Sequence, residues 1–289
     1  MLQSSLSTAT PAFRPVVANA CLICVQRLAA DGERDRAVAL CDVVQNTDVP
    51  EHIRLAATYN AILVLGKDGL PRWVEQLNSG QESQFRLALK AARKLGVSAA
   101  DEIVAHFQKH PPEHQALLLI ALGDVGRRAS LPTVIEAAQN GEPAVRIQAI
   151  RALAKLGDAT VVPVLLEAAI DSNQSVAEAA RAAMADLKGD QIDAAVVKML
   201  DSKNSRAAVS AIEITAQRNI HSATPALLRL ARSEIAVTRR AAIGALAKTT
   251  SFDYLPSLIE FTLETRDSKD ATLIQKSCQA ACARMPQNA

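Results

Sequence analysis

A glycine returns along this chain at a nearly constant interval, and that constrains the fold more than any single motif. Leu-Gly pairs close Ala-rich amphipathic runs at Leu65-Gly66, Leu95-Gly96 and Leu156-Gly157. Val125-Gly126 and Lys188-Gly189 hold the same phase, and Asn219 follows in it. The column thus stands at 66, 96, 126, 157, 189 and 219, a period of 30 to 32 residues. Gly or Asn after a helix is expected to adopt the left-handed conformation that closes it, which a larger side chain makes costly.

Two further columns run in the same register. Pro71, Pro132, Pro163, Pro225 and Pro256 each stand at the head of a short apolar segment, as in PTVIEAA and PVLLEAA. Proline suits a helix start because first-turn amides have no intrahelical acceptor. Ala61, Ala91, Ala121 and Ala152 lie five residues before their glycines, and Gly244 is assigned the same place later. Small residues there let neighbouring helices approach closely.

The columns divide the chain into helix pairs, A then B. A-helices are expected near 33–45, 70–78, 98–109, 130–139, 160–170, 191–200, 222–232 and 253–265. B-helices are expected near 51–66, 81–95, 112–125, 143–156, 174–188, 204–218, 236–248 and 270–284. A leading helix near 12–30 precedes them. The organisation is therefore an N-terminal segment (1–32), a repeat array (33–285) and a tail (286–289). The repeat at 191–219 lacks both Pro and Gly, and the connection LETRDSKDATL at 263–273 is long and charged. Distortion or an insertion is expected at these two units.

Composition agrees with a helical array. At 289 residues the chain is longer than most single compact cores allow. Hydrophobic residues make up 49% and aromatics 3%, which suits tight helix packing and not a β-sandwich. The formal net charge is +2, from 32 basic and 30 acidic residues, so no global attraction to nucleic acid is expected. No apolar run approaches the roughly 18 residues of a membrane span. The segment MLQSSLSTATPAFRPVV has neither a basic start nor a continuous apolar core, unlike a secretory leader. The expected compartment is the cytoplasm, or the outside of the cell if the chain belongs to a longer exported protein.

The text PAVRIQAIRALAKLGD at 143–158, with LPTVIEAAQNGE before it, resembles HEAT repeats. The short period resembles the HEAT-like variety of phycobilisome lyases, and the likeness runs over about 33–285. It implies an all-α, right-handed α-α superhelix of about eight helix pairs plus one N-terminal helix, with B-helices lining a concave face. It implies no chemistry. The chain is also similar to HEAT segments of longer bacterial multidomain proteins.

Catalytic and metal signatures are sparse. Cys21 and Cys24 form a CxxC inside the apolar run ANACLICVQRL; Cys41, Cys278 and Cys282 complete the five cysteines. Helices stacked about 8–10 Å apart would hold Cys278 and Cys282 several tens of Å from Cys21 and Cys24. The cysteines are read as buried small hydrophobes. His106 and His110 have i,i+4 spacing, with His114 beyond Pro111-Pro112, and are read as a solvated helix end. There is no HExxH, GxSxG, GxxxxGK[ST] or GxGxxG. Trp73, on an A-helix, is expected to pack its repeat against a neighbour. No catalytic residue, metal or cofactor is assigned.

The register also points to a binding surface. Lys90 and Lys94 match Arg151 and Lys155 two repeats later, and Arg86 and Arg146 stand near the starts of the same helices. Together they form a candidate basic stripe for a protein or peptide partner, interrupted by Ile120 and Asp124 and later by Glu213 and Gln217. Solvated faces are the plainer reading of these residues. For Arg54, Arg146 and Arg206 a second reading is a tie to the preceding turn, with Asp48 and Asp201 as partners of the first and last. The functions consistent with this are a binding scaffold, a structural spacer within a longer protein, or a bilin-lyase-like enzyme subunit. The apolar circumference of VVANACLICVQRLA, and Leu273, Ile274, Cys278, Ala281 and Cys282 near the other end, favour the spacer.

Overall fold

The computed structural model describes residues 2–187, 189–265 and 269–284. Lys188, the middle of the 263–273 connection and the 286–289 tail lie outside these. Every regular element among the described residues is helical. They form two compact units, Met1–Ser130 and Leu131–Ala289.

The first unit runs α1 (Leu2–Thr8), α2 (Arg14–Ala30), α3 (Arg34–Gln45), α4 (Glu51–Leu65), α5 (Leu70–Leu77), α6 (Glu82–Leu95), α7 (Val97–His106) and α8 (Pro112–Val125). The pairs α3–α4, α5–α6 and α7–α8 are the expected A–B pairs, and α2, α4, α6 and α8 stack in succession. The leading helix α2 is therefore the first member of the B row. The short α1, absent from the sequence reading, buries Leu6 against α2 and α3. Ile53, Ile62, Trp73, Phe85, Ile103, Phe107, Leu118 and Leu122 fill the interior between the rows. Each such large apolar side chain contributes about 1.5–3 kcal/mol by leaving water.

The second unit runs α9 (Leu131–Asn140), α10 (Pro143–Leu156), α11 (Val162–Ala168), α12 (Gln174–Asp186), α13 (Asp190–Met199), α14 (Ser205–Arg218), α15 (Thr224–Leu230), α16 (Ala236–Thr249), α17 (Leu255–Glu264) and α18 (Ala271–Arg284). Here α10, α12, α14, α16 and α18 form the stacked B row. The core is mostly aliphatic, with Ile150, Leu153, Leu165, Met184, Val196, Ile212, Leu227 and Leu246 buried, and Phe261 buried with them.

Local chemistry explains the punctuation. The five prolines fall in the first turns of α5, α9, α11, α15 and α17, and a single 3-10 turn precedes each of these helices. The tighter turn swings the chain from a B-helix into the next A-helix. The glycine column is more varied than expected. Gly126 and Asn219 are left-handed, at φ 77° and 54°. Gly157 is extended, at φ −82°. Its need is steric: a Cβ would lie 2.5 Å from Val161 Cγ2 and 2.6 Å from the Leu153 carbonyl oxygen. Gly244 is exposed with nothing around it, and Ala245, buried, occupies the close-packing place instead.

The repeat that lacks Pro and Gly forms both its helices. Asn204 caps α14 by accepting the Arg206 and Ala207 amides at 3.0 and 3.4 Å, and Asn219 closes it. Asn173 caps α12 in the same way, at 3.0 and 3.3 Å. Asparagine thus supplies both ends of α14 and the N-cap of α12.

Candidate partner-binding surface

The B row of the first unit presents a cationic face. Arg86, Lys90, Arg93 and Lys94 are all exposed on α6, at spacings that keep them on one side of the helix. Beside them lies a cleft of about 500 Å³ lined by Tyr59 of α4, Leu89 of α6, and Leu117, Ile120 and Ala121 of α8. Its floor is aliphatic, with Ile120 37% exposed. The Lys90 ammonium sits 4.8 Å over the centre of the Tyr59 ring, a cation–π contact that fixes its position.

The two arginines are anchored by carboxylates. Arg93 reaches Asp124 Oδ2 at 2.6 Å, one repeat away on α8. Arg86 donates to Glu82 Oε1 at 2.6 Å. Glu82 also holds His114 at 3.1 Å, and the bonds from His114 and then Arg86 keep its carboxyl below the usual carboxylate range. Neither Lys90 nor Lys94 has a carboxylate within ion-pair distance among the described residues. Arg86, Lys90 and Lys94 are among the residues expected from the sequence; Arg93, Tyr59 and the cleft were not anticipated. Tyr59 and Leu89 share the position seven residues before Gly66 and Gly96, so the register carried that signal.

In the second unit Arg151 and Lys155 are exposed on α10. Arg146 is not presented with them. Its Nε donates to the Ala138 carbonyl at 3.0 Å, and its guanidinium holds Asp171 at 2.6 Å with both side chains mostly covered. That pairing, helped by the Asn173 amide, keeps the Asp171 carboxyl below its ordinary range. Arg146 therefore ties down the turn around its helix. Arg206 instead donates to the Ile170 carbonyl at 3.3 Å, in the turn of the preceding repeat. The expected aspartates are engaged elsewhere: Asp48 lies 3.7 Å from Arg14, and Asp201 pairs with Arg229. Glu213, one of the interrupting residues, pairs with Arg181 at 2.9 Å.

The histidines differ from their expected solvated setting. The helix holding His106 gives way to a 3-10 turn at Phe107–Lys109, so His106 and His110 do not share a helix face. The Pro111-Pro112 turn folds His110 inward, 5.7 Å from the Phe85 ring, on which His114 stacks at 3.7 Å. His110 is buried, its Nε2 has no partner among the described residues, and burial pushes its pKa down. Among the described residues, no three His, Cys, Asp or Glu side chains converge in a metal-binding arrangement.

All five cysteines are free. Cys21 and Cys41 are buried as expected, and burial raises the Cys41 thiol to about 12. Cys282 departs from that reading and is exposed on the last helix. Trp73 is fully buried, and its indole N–H donates to the Ala88 carbonyl of α6 at 2.8 Å.

The family model for HEAT repeats matches residues 100–185. Over that span the chain resembles HEAT repeats. The match begins in α7 and ends in α12, and the same A–B pairing continues on both sides of it. Solved structures extend the HEAT-like fold over nearly the whole chain. A Kap121p mutant matches with a TM-score of 0.61 at 10% identity, covering 97% of this chain and 40% of that one. Kap95p, in a structure of its binding to RanGDP, matches at 0.56 and 13% identity, covering 97% and 43%. The chain thus spans about two-fifths of these karyopherins, and the likeness shows the α-solenoid fold. The CpcE–CpcF phycocyanin lyase complex from Nostoc aligns at a TM-score of 0.38 and 18% identity, over 73% of this chain and 94% of that one. That likeness carries no argument about activity. No curated protein matches the chain in sequence. No helix among the described residues is long and apolar enough to cross a membrane.

Proposed function

We propose that this chain is a non-catalytic scaffold that binds a protein or peptide partner through the exposed, concave face of its B-helices. The observation that carries this reading is the exposed cationic face of α6 around an aliphatic cleft, where Lys90 and Lys94 have no carboxylate partner among the described residues. Repeat arrays use such extended surfaces for recognition. Kap121p, which shares the fold, has been solved bound to Pho4p, so the architecture is compatible with protein binding. Arg151 and Lys155, exposed on a B-helix of the second unit, would serve there; Arg86 contributes with its carboxylate in place, and Arg146 supports the fold.

The test is a pull-down from the native host with the variants Lys90→Glu, Lys94→Glu, Arg151→Glu and Lys155→Glu combined. Loss of a partner at unchanged helical circular dichroism supports the reading. Retention of every partner overturns it.

A second reading, a spacer that packs against further repeats, is favoured by a separate observation. Phe13, Val16 and Ile23 are exposed around the leading helix, as are Phe252, Ile259 and Leu263 around α17. Arrays need polar outer faces at their ends. A discrete monomer of this span in sedimentation velocity, stable at high concentration, would count against the spacer.

A further inference from the structure

Resting on the scaffold reading, we infer that the cleft between α4, α6 and α8 is a site for an extended acidic segment with an apolar residue between two acidic ones. Three features of the cleft specify this occupant. The first is charge. Lys90 and Lys94 lie one helical turn apart on α6, a rise of about 6 Å. Carboxylates at alternate positions of an extended peptide repeat at about 6.6–6.8 Å. A segment running along α6 therefore brings two acidic side chains to two ammonium groups that have no carboxylate partner among the described residues, Lys90 resting over the Tyr59 ring.

The second feature is the opposite wall. In an extended chain the intervening side chain points away from its neighbours. Across the cleft from the lysines it meets Leu117 and Ile120 of α8, with Ile120 37% exposed in the free protein. The cleft, at about 500 Å³, is of the size that pockets use to enclose a few side chains.

The third feature excludes the other polyanion. A nucleic-acid strand needs unbroken positive charge and open aromatic faces for base stacking. Here Glu82 and Asp124 are interleaved with the cations at 2.6 Å from Arg86 and Arg93. The Tyr59 ring is occupied by the Lys90 ammonium. The same carboxylates face either polyanion, but the aliphatic wall of Leu117 and Ile120 suits an apolar side chain and offers a base no open ring to stack on.

The probe is a fluorescein-labelled peptide with the core Glu-Asp-Leu-Asp-Glu in Gly-Ser flanks, titrated by anisotropy against the full chain at low salt. Saturable binding is expected. It should weaken about tenfold in Lys90→Glu and in Lys94→Glu, as like charges face the ligand. It should weaken about fivefold in Ile120→Ser and for a composition-matched peptide with leucine moved to one end. Lys198→Glu, at an exposed lysine on the A-helix α13, should leave it unchanged. Circular dichroism of each variant controls for folding, and these side chains are exposed. Absence of binding overturns the proposal, as do equal binding of the rearranged peptide, equal binding by Ile120→Ser, or tighter binding of a labelled twelve-nucleotide thymidine strand. The pull-down separates the two ideas. A native partner lost with Arg151→Glu and Lys155→Glu but retained with Lys90→Glu and Lys94→Glu leaves the scaffold standing and removes this cleft.

Discussion

Trp73 and His110 show how single residues set stability within one repeat. The Trp73 ring is fully covered, and its N–H has a carbonyl partner inside the protein. Trp73→Phe removes the hydrogen bond and part of the ring, and should cost about 1–3 kcal/mol in urea unfolding. Trp73→Ala should cost about 3–5 kcal/mol. His110 supplies a pH dependence. Burial lowers its pKa first, and the charges of His114, His106 and Lys109 lower it further from the ordinary 6.5. The folded protein therefore binds this proton less readily than the unfolded chain. Its contribution is complete above the unfolded value and is lost as pH falls from there through the lower folded value. Unfolding midpoints should drop as pH goes from 7 towards about 5, and His110→Gln should flatten that slope. Asp171 acts in a separate window: its pKa is lowered from 3.8 by Arg146, so its contribution fades only at still lower pH. The burial of His110 was not legible in the sequence. The i,i+4 spacing suggested a continuous helix face, and only the 3-10 turn and the two prolines direct the ring inward.

At the scale of helices and turns, the register was readable because period, proline and small-residue columns all answer to backbone sterics. The reasons behind individual positions were less so. Gly157 fits the column yet is needed for space rather than for a left-handed turn. Gly157→Ala should cost about 1–3 kcal/mol through overpacking on Val161 and the Leu153 carbonyl. Asn219→Gly should be neutral or stabilising by a few tenths of a kcal/mol, since glycine adopts the same φ without strain. Thermal unfolding of the two variants should therefore move in different directions. The capping asparagines at 173 and 204 recur one repeat apart at the expected helix starts, and the proline and glycine columns gave no hint of them. The turn ties were half legible. Arg146 does anchor a turn, but its partner Asp171 lies 25 residues ahead, a pairing set by stacking and not by sequence proximity. Asp171→Ala leaves a mostly covered guanidinium without its carboxylate and should cost about 1.5–3 kcal/mol.

Across the whole molecule, stacking makes each repeat depend on its neighbours rather than on a shared centre. Carboxylate–arginine pairs follow the same logic: Arg72–Asp42, Arg93–Asp124, Arg181–Glu213 and Arg232–Glu264 each join residues 30 to 32 apart. Most such pairs are partly exposed and contribute little singly, about 0–1 kcal/mol each. They also remove arginines from the pool of charges that a partner could meet, which is why a stripe read from sequence alone overstated what Arg146 presents. Nearest-neighbour coupling makes a testable statement about cooperativity. Trp73 is the only tryptophan and lies in the first unit, so its fluorescence reports that unit alone, while circular dichroism at 222 nm reports all helices. Gly157→Ala and Asp171→Ala both weaken the second unit. In these variants the circular-dichroism transition should begin at lower urea than the fluorescence transition, which should stay near its wild-type midpoint. If both signals shift together by the full loss of about 1–3 kcal/mol, the two units unfold as one cooperative body, and coupling through the array is stronger than neighbour contacts alone provide.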